Sequence, residues 1–173
     1  MLFNIALPNP FLMRIASIII TLIFFSCMDV HAQKKREIIP RDSITNKYCY
    51  QAVSDLTMST KDDLRTRLER WIKENYNEQD SKYTKILVEG DTYRIHDREA
   101  LPGKARKFVE YDLTVDLKDN QYRYKLTDLQ YAAVGMYPLE DKMATDKKSD
   151  FEEMDVILRG VIKSMEAALK DNW

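Results

Sequence analysis

Apolar and polar residues alternate most strictly between Lys107 and Ala133, where two runs meet at Asp119-Asn120. A period of two predicts a pair of half-buried strands. Asp and Asn tolerate the left-handed backbone that a tight hairpin turn requires. With a two-residue loop, Leu117 faces Tyr122, Val115 faces Tyr124 and Leu113 faces Leu126 on one side. On the other side Asp116 meets Arg123, Thr114 meets Lys125 and Asp112 meets Thr127. Each polar pair contributes only about 0.2–1 kcal/mol, so burial of the apolar side decides the fold. Further along, the alternation slips: Tyr111 would oppose Asp128, and Leu129 and Tyr131 would move to the face of Phe108. A bulge near Thr127-Asp128 returns them to the core. Without one, Phe108, Leu129 and Tyr131 form an exposed apolar patch.

Upstream, Asn46 to Val53 alternates and predicts a first strand with Tyr48, Tyr50 and Ala52 on one face. Ser59-Thr60-Lys61-Asp62-Asp63 then opens a helix, with a hydroxyl for the free N–H groups and acids at the positive end of the dipole. Its apolar stripe is Leu64, Leu68, Trp71 and Ile72. Tyr83 to Val88 and Thr92 to Ile95 form a second hairpin about Gly90-Asp91, in which Ile86 pairs with Ile95 and Val88 with Tyr93. The polar run His96-Asp97-Arg98-Glu99 interrupts the period, so a bulge or fraying is expected there before the Pro102-Gly103 turn. Tyr137 to Lys148 is polar and irregular. Ser149-Asp150-Phe151-Glu152 reads as a capping box. It opens a long helix whose apolar side is Phe151, Met154, Leu158, Val161, Met165 and Leu169, supported by Ile157, Ile162 and Trp173. The order is strand, helix, four antiparallel strands, helix: an α+β domain with the helices covering the sheet.

The apolar run Ile15 to Phe25 is too short to span a bilayer as a helix. Preceded by Met13-Arg14 and followed by Val30-His31-Ala32-Gln33, it has the parts of a secretory signal peptide. Residues 1–33 are therefore expected to be removed, with translation starting at Met13. An alternative places a lipid on Cys27, after Phe24-Phe25-Ser26. Residues 34–44, charged and containing Pro40, are expected to be a flexible leader, and 45–173 one domain. About 140 residues remain after cleavage, enough for one core. The formal charge of −1 gives no general hold on nucleic-acid phosphates. Cys49 is left as the one cysteine after cleavage, which leaves no intrachain disulfide and no cysteine-based zinc site.

Two stretches resemble a known family. Ser59-Thr60-Lys61-Asp62-Asp63-Leu64 leading to Arg70-Trp71-Ile72, and Val115 to Asp128, look like the bacterial secreted domain of unknown function 4468, which has a TBP-like fold. The likeness covers most of Tyr48 to Tyr131. It departs at the third strand, where His96-Asp97-Arg98-Glu99-Ala100 stands in place of the expected glycines. The resemblance implies β-α-β-β-β-β-α with five antiparallel strands in the order 1-5-4-3-2 and both helices on one face. It implies no activity, and the fold name does not imply DNA binding.

Candidate chemistry is sparse. His96, beside Asp97 and near Glu99, is the one histidine left after cleavage and would need an oriented carboxylate in a hollow to act as a base. Cys49 reads as a small buried hydrophobe. Asp62-Asp63 and Glu152-Glu153 are explained by helix dipoles without a metal. No P-loop, nucleophile elbow or zinc spacing occurs. The expectation is thus an exported, non-enzymatic binding or accessory domain of the bacterial envelope, periplasmic or outer-envelope, without catalytic, cofactor or metal residues. Its partner would be an envelope protein or a small ligand, not nucleic acid, and membrane contact would come only through the signal or a lipid on Cys27. The candidate contact surface is Phe108, Leu129 and Tyr131 with Arg123 and Lys125. A cleft lined by Tyr111, Tyr122 and Tyr124 beneath the long helix is a second place to bind. Strand addition at the Tyr83–Glu89 edge is a third, with Lys85 as a guard against it. The alternatives are a small hydrolase centred on His96 and a structural subunit of a surface complex. Amino-terminal sequencing of the exported protein should begin directly after Ala32 or Gln33, and a chain retaining Ile15–Phe25 would overturn the signal assignment.

Overall fold

The computed structural model describes residues 38–76, 82–141 and 148–171. Residues 1–33, Cys27 with them, and Trp173 lie outside these. The elements are β1 (Tyr50–Asp55), α1 (Lys61–Asn75), β2 (Lys85–Glu89), β3 (Thr92–Ala100), β4 (Phe108–Lys118), β5 (Gln121–Ala132), β6 (Met136–Pro138) and α2 (Lys148–Lys170). The sheet is antiparallel in the order β1-β5-β4-β3-β2, and β6 pairs with β5 beyond the end of β1. This is the expected order with one addition. The short strand β6 was hidden because Tyr137 follows no period long enough to read.

The β4–β5 hairpin has the register its side chains specify: Leu117 pairs with Tyr122, Val115 with Tyr124 and Leu113 with Leu126. Asn120 takes the left-handed conformation at the loop, φ 58°. Between Asp112↔Thr127 and Glu110↔Gln130 the register shifts, so Asp128 and Leu129 together oppose Tyr111. Asp128 adopts φ 50° there. This bulge turns Leu129 and Tyr131 into the core, where they are 3% and 5% exposed. The expected apolar patch of Phe108, Leu129 and Tyr131 therefore does not form. β3, by contrast, pairs with β4 without interruption from Thr92 to Ala100. The bulge or fraying expected at His96–Glu99 is absent, and three of its four polar residues find partners. His96 meets Asp112, the Thr84 hydroxyl donates to Asp97 at 2.7 Å, and Arg98 lies 3.1 Å from Glu110.

Leu113, Val115 and Leu117 are buried beneath the helices. α1 contributes Leu64, Leu68, Trp71 and Ile72, and α2 contributes Phe151, Met154, Leu158, Ile162, Met165 and Leu169. The helices also meet each other. The Trp71 indole N–H donates to Ser164 Oγ at 2.9 Å, and Arg67 donates to the Leu169 carbonyl near the end of α2. α1 begins at Thr60, whose hydroxyl accepts from the Asp63 N–H while the Asp63 carboxylate accepts from the Thr60 N–H. α2 begins at Lys148, so Ser149 sits inside its first turn and not at the cap.

The hairpin tip is tied to the entry of α1. The Ser59 N–H donates to Asn120 Oδ1, the Asn120 N–H donates to the Ser59 carbonyl, and the Lys61 N–H donates to Asp119 Oδ1 at 2.8 Å. The two stretches that carry the family resemblance thus meet in space, and their residue types are explained by folding. At the other end of the chain, the leader assignment is corrected from Ile38 onward. Ile39 is fully buried, the Cys49 N–H donates to the Pro40 carbonyl, and Arg41 forms a bridge with Tyr48. An apolar Ile-Ile pair followed by Pro supplied a side chain for the core that the charged residues around it concealed.

Asn120→Ala should destabilise by about 1–3 kcal/mol, since it strands the buried Ser59 N–H and strains the left-handed backbone. Asn120→Gly relieves the strain and should lose only about 1 kcal/mol. Urea unfolding of both variants checks the ordering.

Candidate functional site

A strand pairing that buries odd-numbered residues of β4 presents even-numbered ones on the opposite, helix-free face. Reading across the ladder gives three rows on that face. One is Lys85–His96–Asp112–Thr127, the next Leu87–Arg94–Thr114–Lys125–Gln51, and the third Glu89–Thr92–Asp116–Arg123–Val53. Two shallow hollows lie over these rows. One of about 530 Å³ is lined by Gln51, Val53, Thr114, Arg123 and Lys125. The other, about 430 Å³, is lined by Leu87, Arg94, His96, Asp112, Thr114 and Thr127. They share Thr114, whose small side chain leaves the middle of the sheet low.

The charges on this face are largely paired. Arg123 donates twice to Asp116 Oδ2, at 2.7 and 2.9 Å, and the Thr92 hydroxyl donates to Asp116 Oδ1 at 2.7 Å. Partial burial pushes the Asp116 carboxyl up, but the Thr92 and Arg123 hydrogen bonds outweigh it and hold the pKa below its usual value. His96 Nδ1 lies 2.6 Å from Asp112 Oδ1. Arg94 reaches Glu89 at 3.6 Å, both in open solvent, where such a pair contributes little. Lys125 has no carboxylate within 4 Å among the described residues.

One end of the face is closed. The Arg98 guanidinium lies between two rings, 3.7 Å from the centre of Tyr83 and 4.3 Å from that of Phe108, and it neutralises Glu110, which is 4% exposed. Of the predicted contact residues, Phe108 is therefore half-buried under Arg98, Leu129 and Tyr131 are in the core, and Arg123 and Lys125 stand on the open face. Gln51, Val53 and Arg94 share that face and were missed, while Thr114 was read opposite Lys125 but not as part of a site. The cross-strand register of the two hairpins was the signal that groups them.

The tyrosine cleft considered beneath the long helix is filled by its own lining. Tyr111 and Tyr122 are fully buried and Tyr124 nearly so. Several tyrosine hydroxyls leave the core to meet polar side chains on the helices. Tyr93 donates to Glu69 at 2.6 Å, Tyr50 donates to Asp155, and Tyr131 donates to Asp150 at 2.7 Å. Burial, then the neighbouring Glu69, pushes the Tyr93 hydroxyl up to about 12, so it stays a donor. Asp150, 2% exposed, also accepts from Lys104 at 2.6 Å and Lys107 at 2.7 Å. Burial raises its carboxyl, but the bonds from Lys104, Lys107 and Tyr131 together hold the pKa far below the ordinary carboxylate range. This cluster joins the β3–β4 loop to α2. Cys49 is buried, and burial pushes its thiol up, away from the thiolate a nucleophile requires. No group of three potential metal ligands occurs among the described residues.

A six-stranded antiparallel sheet in this order, with both helices on one face and a strand-helix-strand start, defines a TBP-like α+β domain. Residues 50–132 match the family model described as domain of unknown function (DUF4468) with TBP-like fold. Two solved structures are similar. A TBP-like protein from Parabacteroides distasonis shares 16% identity and a TM-score of 0.65, covering 79% of this chain and 100% of that one. A DUF4468 family protein from Bacteroides ovatus shares 11% identity and a TM-score of 0.62, covering 79% of this chain and 93% of that one. At these identities the likeness is one of fold. No curated protein matches the chain.

Asp150→Asn should destabilise at pH 7 by about 2–3 kcal/mol, the worth of hydrogen bonds to a charged group. Because the folded carboxyl is depressed, its contribution is complete above the unfolded value near 4 and declines as pH falls below it. The gap between native and variant chains in urea unfolding should therefore narrow from pH 5 to pH 3.

Proposed function

We propose that this chain is an exported, non-enzymatic binding module of the bacterial envelope that meets its partner with the open face of its sheet. The observation that carries the reading is the contrast between the two faces. The helix-bearing face is sealed by Leu113, Val115 and a layer of buried tyrosines, so it offers a ligand no entry. The opposite face presents two joined hollows with polar groups of both signs and exposed aliphatic residues, Val53 and Leu87, at its two edges. That mixture suits a protein or small-molecule partner. Nucleic acid would call for a basic face, and Asp112 and Asp116 sit in the middle of this one.

The point where the leader joins the domain fits the same picture. Arg159 on α2 donates to the Ile38 carbonyl, so the chain enters on the helix side. No helix among the described residues is long and apolar enough to cross a membrane, and export rests on residues 1–33 as read from sequence.

A hydrolase centred on His96 is favoured by one observation: the 2.6 Å contact to Asp112 at the rim of a hollow. That is an oriented imidazole. The binding reading needs no base there, and His96→Gln, which keeps a polar side chain in the hollow but cannot take up a proton, should fully complement a deletion strain. Failure of His96→Gln to complement, with the folded protein at normal levels and its partner still cross-linked from Thr114, would favour the hydrolase.

A photo-reactive residue placed at Thr114 should cross-link to a partner in living cells of the native host. The same residue at Val156, 70% exposed on α2, should not. Cross-links from Val156 and none from Thr114 would move the binding surface to the helices.

A further inference from the structure

Charge pairing across the open face leaves an imbalance in its middle row. Asp116 is taken by Arg123 and Thr92, and Asp112 by His96. Lys125, in the same ladder row as Arg94 with Thr114 between them, has no carboxylate within 4 Å among the described residues and meets Asp42 only through its longer-range field. Arg94 has one direct carboxylate contact, the solvent-exposed one with Glu89 at 3.6 Å, and otherwise adds only its field to Asp116. Two strand spacings put the backbones of Arg94 and Lys125 about 10 Å apart. Both side chains are long enough to close on one small oxyanion above the Thr114 hydroxyl. Such a group would receive charge-assisted hydrogen bonds from two sides.

The ends of the face are different in kind. Val53 on the β1 edge is 58% exposed and Leu87 on the β2 edge is 50% exposed, and each lines one of the two hollows. Four strand spacings separate these edges, about 19 Å, which an extended chain of about six residues spans. A ligand that matches the whole trough therefore carries an aliphatic group at each end and an anion at its centre.

Resting on the open-face reading above, we infer that the trough takes an extended polypeptide segment of about six residues. It crosses the strands, with an aspartate or glutamate between Arg94 and Lys125 and aliphatic side chains on Val53 and Leu87. An acidic polysaccharide supplies the anion but nothing for the two aliphatic edges. A polypeptide supplies both. The sheet offers side chains and not backbone groups on this face, so affinity depends on the central ion pair and the two apolar contacts.

The probe is a synthetic hexapeptide with leucine at both ends and one central glutamate among serines, titrated into the full exported chain by calorimetry and amide NMR. Binding should shift the amides of Gln51, Thr114, Lys125 and Leu87. Replacing the peptide glutamate by glutamine, or making Lys125→Ala, should each weaken binding by about tenfold, the scale of one charged hydrogen bond. Val156→Ala should change nothing, and the native fold of Lys125→Ala is checked by its own amide spectrum. Indifference to the glutamine replacement, shifts confined to the helices, or tighter binding of polygalacturonate than of the peptide would each overturn the assignment. If the peptide fails while Thr114 still cross-links in cells, the peptide assignment falls and the open-face reading stands. If both fail, the reading beneath it falls too.

Discussion

A two-residue loop at Asp119-Asn120 sets the rest of the structure. With its length fixed, each residue of β4 from Asp112 to Lys118 has one partner on β5, and a slip of one position would exchange the two faces of the sheet. The same loop also holds the start of α1. Asn120 and Ser59 exchange hydrogen bonds, and Asp119 accepts from the Lys61 N–H. Strand register and helix position are thus two results of one constraint. Asp91, at the neighbouring turn, adds to it by accepting from Lys61 and Arg65 at 2.8 and 2.6 Å.

The many tyrosines make sense on this frame. A tyrosine buries a large ring yet must satisfy its hydroxyl. Here the rings lie between sheet and helices while hydroxyls emerge at Glu69, Asp150 and Asp155. Each such contact fixes a helix against sliding over an apolar surface that would otherwise tolerate it. A layer built this way leaves no open cleft among the described residues. On the other side of the sheet the side chains are paired across strands and half-exposed.

The polar stretch His96–Glu99 shows how a local pattern can mislead. By period it should have broken a strand, because polar residues fell where a core was expected. In the structure its members divide between two faces, and three of the four meet partners more than ten residues away: Asp112 for His96, Thr84 for Asp97, Glu110 for Arg98. Asp150 is the same case. By position it belongs to a helix cap, yet Lys104 and Lys107, more than forty residues upstream, make it a buried anchor.

Local order therefore determined much of this protein. Alternation, turn residues and helix stripes carried the strands, both hairpin registers, the bulge beside Asp128 and the buried sides of both helices, because each rests on neighbours within a few residues. What they did not carry were features whose partners lie far apart in the chain. These include the burial of Ile39, the strand at Met136–Pro138, the Arg98 sandwich between Tyr83 and Phe108, and the anchoring of Asp150. The candidate site belongs to this second group. Arg123 and Lys125 were visible as polar positions on one strand. Thr114 was visible opposite Lys125, but their grouping with Gln51 and Arg94 required further strands to be laid side by side, since a face of a whole sheet is a product of pairing and has no counterpart in linear sequence.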